Sequence, residues 1–228
     1  MSKPTVLIFC SGTAVRWDDD TTHKQLALVE DVPLLHRTIA QLKKRGIRPV
    51  IVATDPATFT LPDTDYFHPS ASRYWVETVL STRNLWKGQM VALLGDVFFS
   101  EGAMNDCIAA DGLHFFGRIQ PSYVTGGCAE VFAMSWGDED HGALTDALAA
   151  SLKHAVDKGG DRDQNGSPVG SPWQPYRLLS GLAIDDHAVD SKGIWINRND
   201  FTDDFDTQAH YKFWCERYAQ RWICQRAS

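Results

Sequence analysis

The sequence lacks a long hydrophobic run, closely spaced cysteines and a surplus of basic residues. No run of roughly 18 apolar residues occurs, and no signal-like segment precedes the first predicted strand. The five cysteines form no C-x-x-C pair, which argues against a disulfide framework or a zinc site. The net charge of −7 argues against a protein that binds nucleic acid through its phosphates. These absences favour a cytoplasmic protein that binds neither membranes nor nucleic acid.

Apolar runs and helical spacing alternate along the first half of the chain. Residues 5–10 and 49–53 predict strands, and the helical pattern of residues 33–45 separates them. Such a β-α-β unit predicts parallel strands, because the helix returns the chain to the same edge. Residues 72–85 predict a further helix. Residues 90–94 are almost entirely apolar, as expected of a strand that is covered on both faces.

The second half predicts an antiparallel excursion and two more helices. Residues 113–119 and 129–134 have the composition of strands, whereas residues 144–156 and 207–224 show helical spacing. Taken together, the elements predict a three-layer α/β/α sandwich around a mixed, mostly parallel sheet.

Chain length and one loop define the domain organisation. A chain of 228 residues is long enough for one sizeable core, so we expect a single domain over residues 1–228. Glycine and proline are frequent in residues 158–175, which predicts a flexible loop within that domain.

A turn of small residues follows the first predicted strand. It consists of Ser11, Gly12, Thr13, Ala14 and Val15. Backbone N–H groups of such a turn can approach phosphate oxygens, because no large side chain blocks them. Arg16 follows the turn and Lys24 lies eight residues beyond it, so two cations are available to bind a nucleoside triphosphate. The spacing fits neither a P-loop nor a dinucleotide-binding fingerprint.

This segment resembles the signature of the sugar-nucleotide pyrophosphorylases and small cytidylyltransferases. In that family an apolar strand leads into G-x-G-x-R, and P-K follows after a short spacer. Those five places are occupied here by Gly12, Ala14, Arg16, His23 and Lys24. Ala14 and His23 depart from the pattern. Residues 32–39 are similar to the family's entry to its first helix, and the resemblance implies a Rossmann-like fold of the GT-A (nucleotide-diphospho-sugar transferase) type.

The resemblance also implies an activity and its cofactor, Mg²⁺. A nucleotidyltransferase of this family transfers a nucleoside monophosphate from a nucleoside triphosphate, here with CTP or UTP favoured, and releases pyrophosphate. The acceptor would be a small phosphomonoester, either a sugar phosphate or a phosphocholine-like alcohol phosphate. Lys24 would stabilise the α-phosphate, and Arg16 with the turn before it would hold the pyrophosphate. Ser72 is a further candidate for nucleotide binding.

Two aspartates are candidates for the metal site. Asp96 follows the strand at residues 90–94, where open parallel sheets bind ligands. Asp206 is similar to the aspartate that completes the family's metal site. Asp204 is its substitute, because alternation along a strand puts residues 204 and 206 on one side. The alternative is that Asp96 and Asp206 cap the segments that follow them.

The acceptor site is the least defined by the sequence. Glu130 lies in a segment that resembles the family's acceptor side. Trp173 and Tyr176, together with Trp195, could surround a cationic acceptor with ring faces. Packing in the core is the alternative for these aromatic residues.

The sequence leaves two alternative functions open, and it also allows a homodimer. A GT-A glycosyltransferase with a nucleotide-sugar donor would share the fold, but Val97 and Phe98 after Asp96 do not form its usual D-x-D. A non-catalytic nucleotide sensor would be consistent with Ala14 and His23.

Overall fold

A computed structural model describes residues 3–11, 17, 23–122, 129–159, 169–189 and 193–226. The described residues form eleven strands: β1 (Thr5–Phe9), β2 (Leu28–Val29), β3 (Val32–Pro33), β4 (Val50–Val52), β5 (Asp65–Phe67), β6 (Met90–Leu94), β7 (Val97–Phe98), β8 (His114–Arg118), β9 (Glu130–Trp136), β10 (Trp195–Asn197) and β11 (Asp203–Asp204). They also form seven α-helices: α1 (Leu34–Lys44), α2 (Pro56–Phe59), α3 (Trp75–Ser81), α4 (Glu101–Ala109), α5 (His141–Lys158), α6 (Trp173–Leu179) and α7 (Gln208–Arg226).

Seven strands form the central sheet, in the order β10-β8-β9-β6-β1-β4-β5. Strand β1 pairs in parallel with β4 on one side and β6 on the other, so the predicted β-α-β unit is confirmed. Strand β9 runs antiparallel to both of its neighbours, β6 and β8, which confirms the predicted antiparallel excursion. The predicted fold class, a mixed and mostly parallel sheet between helices, is therefore confirmed.

The core consists of one hydrophobic cluster on each face of the sheet. Because side chains alternate along a strand, Val6 and Ile8 of β1 belong to one cluster, whereas Leu7 and Phe9 belong to the other. Helix α1 covers the first face, and helices α3, α5 and α6 cover the second. The hydrophobic burial on both faces explains why the central strands are almost continuously apolar.

Helices extend into both ends of the predicted loop at residues 158–175. Lys158 is the last residue of α5, and Trp173 is the first residue of α6. Residues 160–168 of that loop lie outside the described residues. Among the described helices, none combines the length and the apolar character that crossing a lipid bilayer requires.

A third cluster joins α7 to the short antiparallel pair β7 and β11. Trp214 of α7 is fully buried, with its ring 4.5 Å from that of Phe98 and 5.2 Å from that of Phe205. Tyr211 and Tyr218 of the same helix also pack in this cluster. Helix α7 thereby packs against the segment that carries the acidic residues 203–206.

Candidate functional site

A cavity of about 200 Å³ opens beyond the carboxyl ends of β1 and β6. Ligands of open α/β sheets bind at this end of the strands. The residues that line the cavity are Phe9, Ser11, Lys24, Gln25, Ser72, Arg73, Trp75, Thr78, Leu94, Asp96 and Pro172. The sequence-predicted residues Ser11, Lys24 and Ser72 therefore share one cavity with Asp96.

Lys24 and Asp96 form an ion pair in the wall of this cavity, with side chains 15% and 17% exposed. Lys24 begins a 3₁₀ turn at Lys24–Leu26, and Asp96 lies in the turn between β6 and β7. The Gly95 amide donates a hydrogen bond to the Phe9 carbonyl at 3.0 Å. A Cβ at Gly95 would lie 2.5 Å from the Cys10 sulphur, so glycine is what allows this turn to approach β1.

The ammonium of Lys24 lies in the field of several carboxylates. Burial alone would lower its pKa, but the carboxylates of Asp96, Asp204 and Asp206 outweigh that effect and raise the pKa. Lys24 therefore stays a cation despite its burial. A charged donor in a partly buried site stabilises anions more strongly than it would in open water.

Three carboxylates converge next to this pair. Glu130, Asp204 and Asp206 each offer a carboxylate oxygen, and these oxygens lie within 4.8 Å of one another. Alternation along the chain explains the grouping, because Asp203 and Phe205 point into the core whereas Asp204 and Asp206 are half-buried. We refer to Glu130, Asp204 and Asp206 as the acidic trio.

Burial and neighbouring charges change the titration of Asp204. Burial, followed by the charges of Asp206, Asp96 and Asp203, raises the pKa of Asp204 to about 8. Asp204 pairs with Val97 across the β7–β11 ladder, which places it beside the turn that holds Asp96. A cluster of carboxylate oxygens is the ligand type that Mg²⁺ prefers, and a divalent cation would relieve the repulsion.

The two aspartates predicted to bind a metal have different surroundings in the structure. Asp206 lies in the acidic trio, as does its substitute Asp204, whereas Asp96 is paired with Lys24. Glu130, which the sequence assigns to the acceptor side, also belongs to the trio. The turn of residues 12–16, including the predicted cation Arg16, lies outside the described residues, so its phosphate-binding role stays a prediction.

The aromatic residues predicted for the acceptor site pack against one another. Trp173 stacks on Trp195 with ring centroids 5.5 Å apart, and Tyr176 is fully buried with its ring 5.1 Å from that of Trp195. The Arg177 guanidinium lies 5.8 Å from the Trp173 ring centroid. These contacts cover ring faces that a cationic acceptor would need. The packing supports the core role, and acceptor binding by Trp173 and Tyr176 stays a prediction.

Sequence reasoning missed several residues of the cavity wall. Gln25 is only 3% exposed and lines the cavity. The buried Nε1 of Trp75 has no hydrogen-bond partner among the described residues. Buried polar groups are nearly always paired, so the unpaired indole N–H of Trp75 in the cavity wall indicates a ligand. The only sequence signal for Gln25 is its place next to Lys24.

Comparisons with known proteins give the fold its context. No protein-family model and no curated protein matches the chain. Solved structures do match, including a CTP:phosphocholine cytidylyltransferase from Streptococcus pneumoniae with a TM-score of 0.60 and 13% identity, over 95% of this chain and 100% of that chain. A UDP-glucose pyrophosphorylase complexed with UDP-glucose matches with a TM-score of 0.63 and 9% identity, over 96% of this chain and 99% of that chain. The chain therefore has the fold of sugar-phosphate nucleotidyltransferases and small cytidylyltransferases.

Proposed function

We propose that this protein is a magnesium-dependent nucleotidyltransferase. It transfers a nucleoside monophosphate from a nucleoside triphosphate, with CTP or UTP favoured, to a small phosphomonoester and releases pyrophosphate. The observation that carries the proposal is the convergence of Lys24, Asp96 and the acidic trio beside a cavity at the carboxyl ends of the strands. The fold shared with nucleotidyltransferases supports it.

The acidic trio fits a magnesium ion. Its donors are oxygens that lie within 4.8 Å of one another, and burial together with the neighbouring aspartates raises the pKa of Asp204. Asp204, Asp206 and Glu130 would hold the ion, with Asp96 close by. When bound, Mg²⁺ would neutralise charge on the phosphate oxygens of the nucleotide.

The chain's own residues have to align two anions. An oxygen of the acceptor phosphate forms a bond to the α-phosphorus, while the bond from that phosphorus to the pyrophosphate oxygen breaks and the electron pair leaves with pyrophosphate. The attacking oxygen is already anionic, so no general base is needed. Lys24 exchanges its contact with Asp96 for one with the α-phosphate, and Arg16 holds the departing pyrophosphate.

The cavity wall suits the nucleoside part of the donor. Phe9, Trp75 and Leu94 offer apolar surface, whereas the amide of Gln25 offers both a donor and an acceptor. A neutral amide cannot balance the charge of a phosphate, but it can hydrogen-bond the edge of a base. We therefore place the base against Gln25 and the triphosphate toward Lys24.

Pyrophosphate release tests the proposal. The protein is incubated with each of the four ribonucleoside triphosphates, Mg²⁺ and a panel of phosphomonoesters that includes hexose 1-phosphates and phosphocholine. We expect acceptor-dependent pyrophosphate with at least one pair, and its loss in Lys24→Met. Lys43→Met is the matched control, because Lys43 also pairs with an aspartate but is 65% exposed. Absence of pyrophosphate with every pair, or full activity of Lys24→Met, would refute the proposal. Hydrolysis of nucleotide sugars in its place would indicate the glycosyltransferase.

A further inference from the structure

A second ion pair lies behind the acidic trio, entirely sealed from solvent. Arg118 ends β8 and Asp203 begins β11; their side chains are 0% and 1% exposed. Arg118 Nη2 donates to Asp203 Oδ1 at 2.5 Å, and Ser122 Oγ donates to the other carboxylate oxygen at 2.5 Å. Arg118 Nη1 also donates to the Thr202 carbonyl at 3.0 Å. Neither Arg118 nor Asp203 lines the cavity.

Stability alone is a weak explanation for this pair. Removing two charges from water is costly, and apolar residues of similar volume often serve a fold at least as well as a buried ion pair. The pair is therefore better explained by what it holds in place.

The pair touches both strands that carry the acidic trio. Arg118 lies opposite Glu130 in the register of β8 and β9. Asp203 precedes Asp204 in the chain, and its Oδ1 accepts a hydrogen bond from the Asp204 amide at 3.2 Å. One guanidinium is thus linked to the backbone that positions Glu130 and to the backbone that positions Asp204.

Strand β11 needs such an anchor. It has two residues and pairs with the equally short β7. The carboxylates of the trio repel one another, and a two-residue ladder gives little resistance to that force. The contacts of Arg118 with Thr202 and Asp203 attach β11 to β8, which belongs to the central sheet.

We propose that Arg118 and Asp203 are positioning residues that fix Asp204 at the correct distance from Glu130 for a divalent cation. The inference rests on the metal site of the proposed function. It assigns no contact with substrate to either residue. Partners that orient metal ligands typically change metal affinity by about 10- to 100-fold when they are removed.

The test measures metal binding apart from catalysis. The double variant Arg118→Met with Asp203→Asn removes both charges and keeps a side-chain oxygen for Ser122. Binding of Mn²⁺ is followed by electron paramagnetic resonance, and thermal unfolding is recorded on the same samples. We expect the Mn²⁺ dissociation constant to rise about 10- to 100-fold in a protein that still unfolds cooperatively.

The control removes another arginine–carboxylate ion pair, away from the acidic trio. Arg45 and Glu101 link α1 to α4 at 2.8 Å, so Arg45→Met with Glu101→Gln should leave Mn²⁺ binding unchanged. Arg118→Lys keeps the buried charge but cannot donate in two directions, and we expect a smaller loss of affinity in the same direction. It also provides a folded comparison should the double variant fail to fold.

The outcomes separate this inference from the proposed function. Wild-type Mn²⁺ affinity in the folded double variant, or in Arg118→Lys, overturns the positioning role. Absence of Mn²⁺ binding by the wild type overturns both the positioning role and the metal site. Mn²⁺ binding that depends on Arg118, without any pyrophosphate release, supports the positioning role and overturns the proposed reaction.

Discussion

The lysine–aspartate pair and the arginine–aspartate pair of the site differ in their exposure to solvent. Lys24 and Asp96 line the cavity and keep 15% and 17% of their side-chain surface exposed, so an incoming phosphate can replace one partner. Arg118 and Asp203 are 0% and 1% exposed, and every oxygen of the Asp203 carboxylate is already hydrogen-bonded.

This difference in exposure suggests that the two ion pairs have different roles. An ammonium is a compact charge on a flexible stem, which suits a contact that changes partner during a reaction. A guanidinium donates in fixed directions, which suits a permanent link between two strands. The pair of Lys24 and Asp96, which we call the open pair, should therefore affect turnover with little effect on stability. The pair of Arg118 and Asp203, which we call the sealed pair, should affect stability as well as metal binding.

The largest expected effect is on stability, from breaking the sealed pair. Arg118→Met leaves the Asp203 carboxylate buried without its counter-charge, which we expect to cost about 3–5 kcal/mol in the free energy of unfolding. Urea unfolding of the wild type and the variant measures this loss of stability. Restoring balance with Asp203→Asn should recover most of the loss, and Arg45→Met at a more exposed pair should cost about 1 kcal/mol or less. Equal losses at both arginines would contradict the comparison.

The second effect is on turnover, from breaking the open pair. Lys24→Met removes the ammonium that we propose contacts the α-phosphate, so we expect kcat to fall by about 10²- to 10³-fold. The thermal unfolding temperature should change little, since the side chain lines a cavity. Steady-state pyrophosphate release and calorimetry on the same preparation check both statements. A variant that loses stability as much as activity would make Lys24 a structural residue.

A third effect is on the pH dependence of stability. The pKa of Asp204 is about 8 in the fold against an ordinary value of 3.8, so the folded state holds this proton more tightly than the unfolded state. Without metal, this contribution is fully present below about pH 4 and is lost as the pH rises toward 8. We expect the free energy of unfolding to decrease by about 2 kcal/mol between pH 6 and 8, a slope that Asp204→Asn or Mg²⁺ should abolish. Urea titrations at several pH values measure it, and a metal-free slope that survives Asp204→Asn would assign it to another group.

The sequence predicts the sheet better than it predicts the site. Continuous apolar runs identify β1, β4 and β6, because strands buried on both faces need them. The pair β7 and β11 escapes sequence reasoning, since strands of two residues have no measurable period. That pair nevertheless places Asp204 beside Asp96.

Charge partners are harder to predict than elements. A motif indicates that Lys24 and Asp206 belong together, but only coordinates show Asp96 paired with Lys24 and Glu130 beside Asp204. The partner of Arg118 is equally hard to predict, because nothing in the sequence indicates that Asp203, rather than another aspartate of the same run, is buried against it.

The smallest expected effect concerns Gln25, which lines the same cavity as Lys24 and Asp96. Gln25→Leu keeps the buried volume and removes the hydrogen bond to the base, so we expect KM for the preferred nucleotide to rise about tenfold, equivalent to about 1.4 kcal/mol. Stability should change little, because leucine keeps most of the buried volume in the cavity wall. Steady-state kinetics with CTP and UTP, alongside urea unfolding, measure both. Gln41→Leu is the matched control, since Gln41 donates to the Phe99 carbonyl and does not line the cavity. If Gln25→Leu loses stability and keeps its KM, the amide serves the fold and the base lies elsewhere.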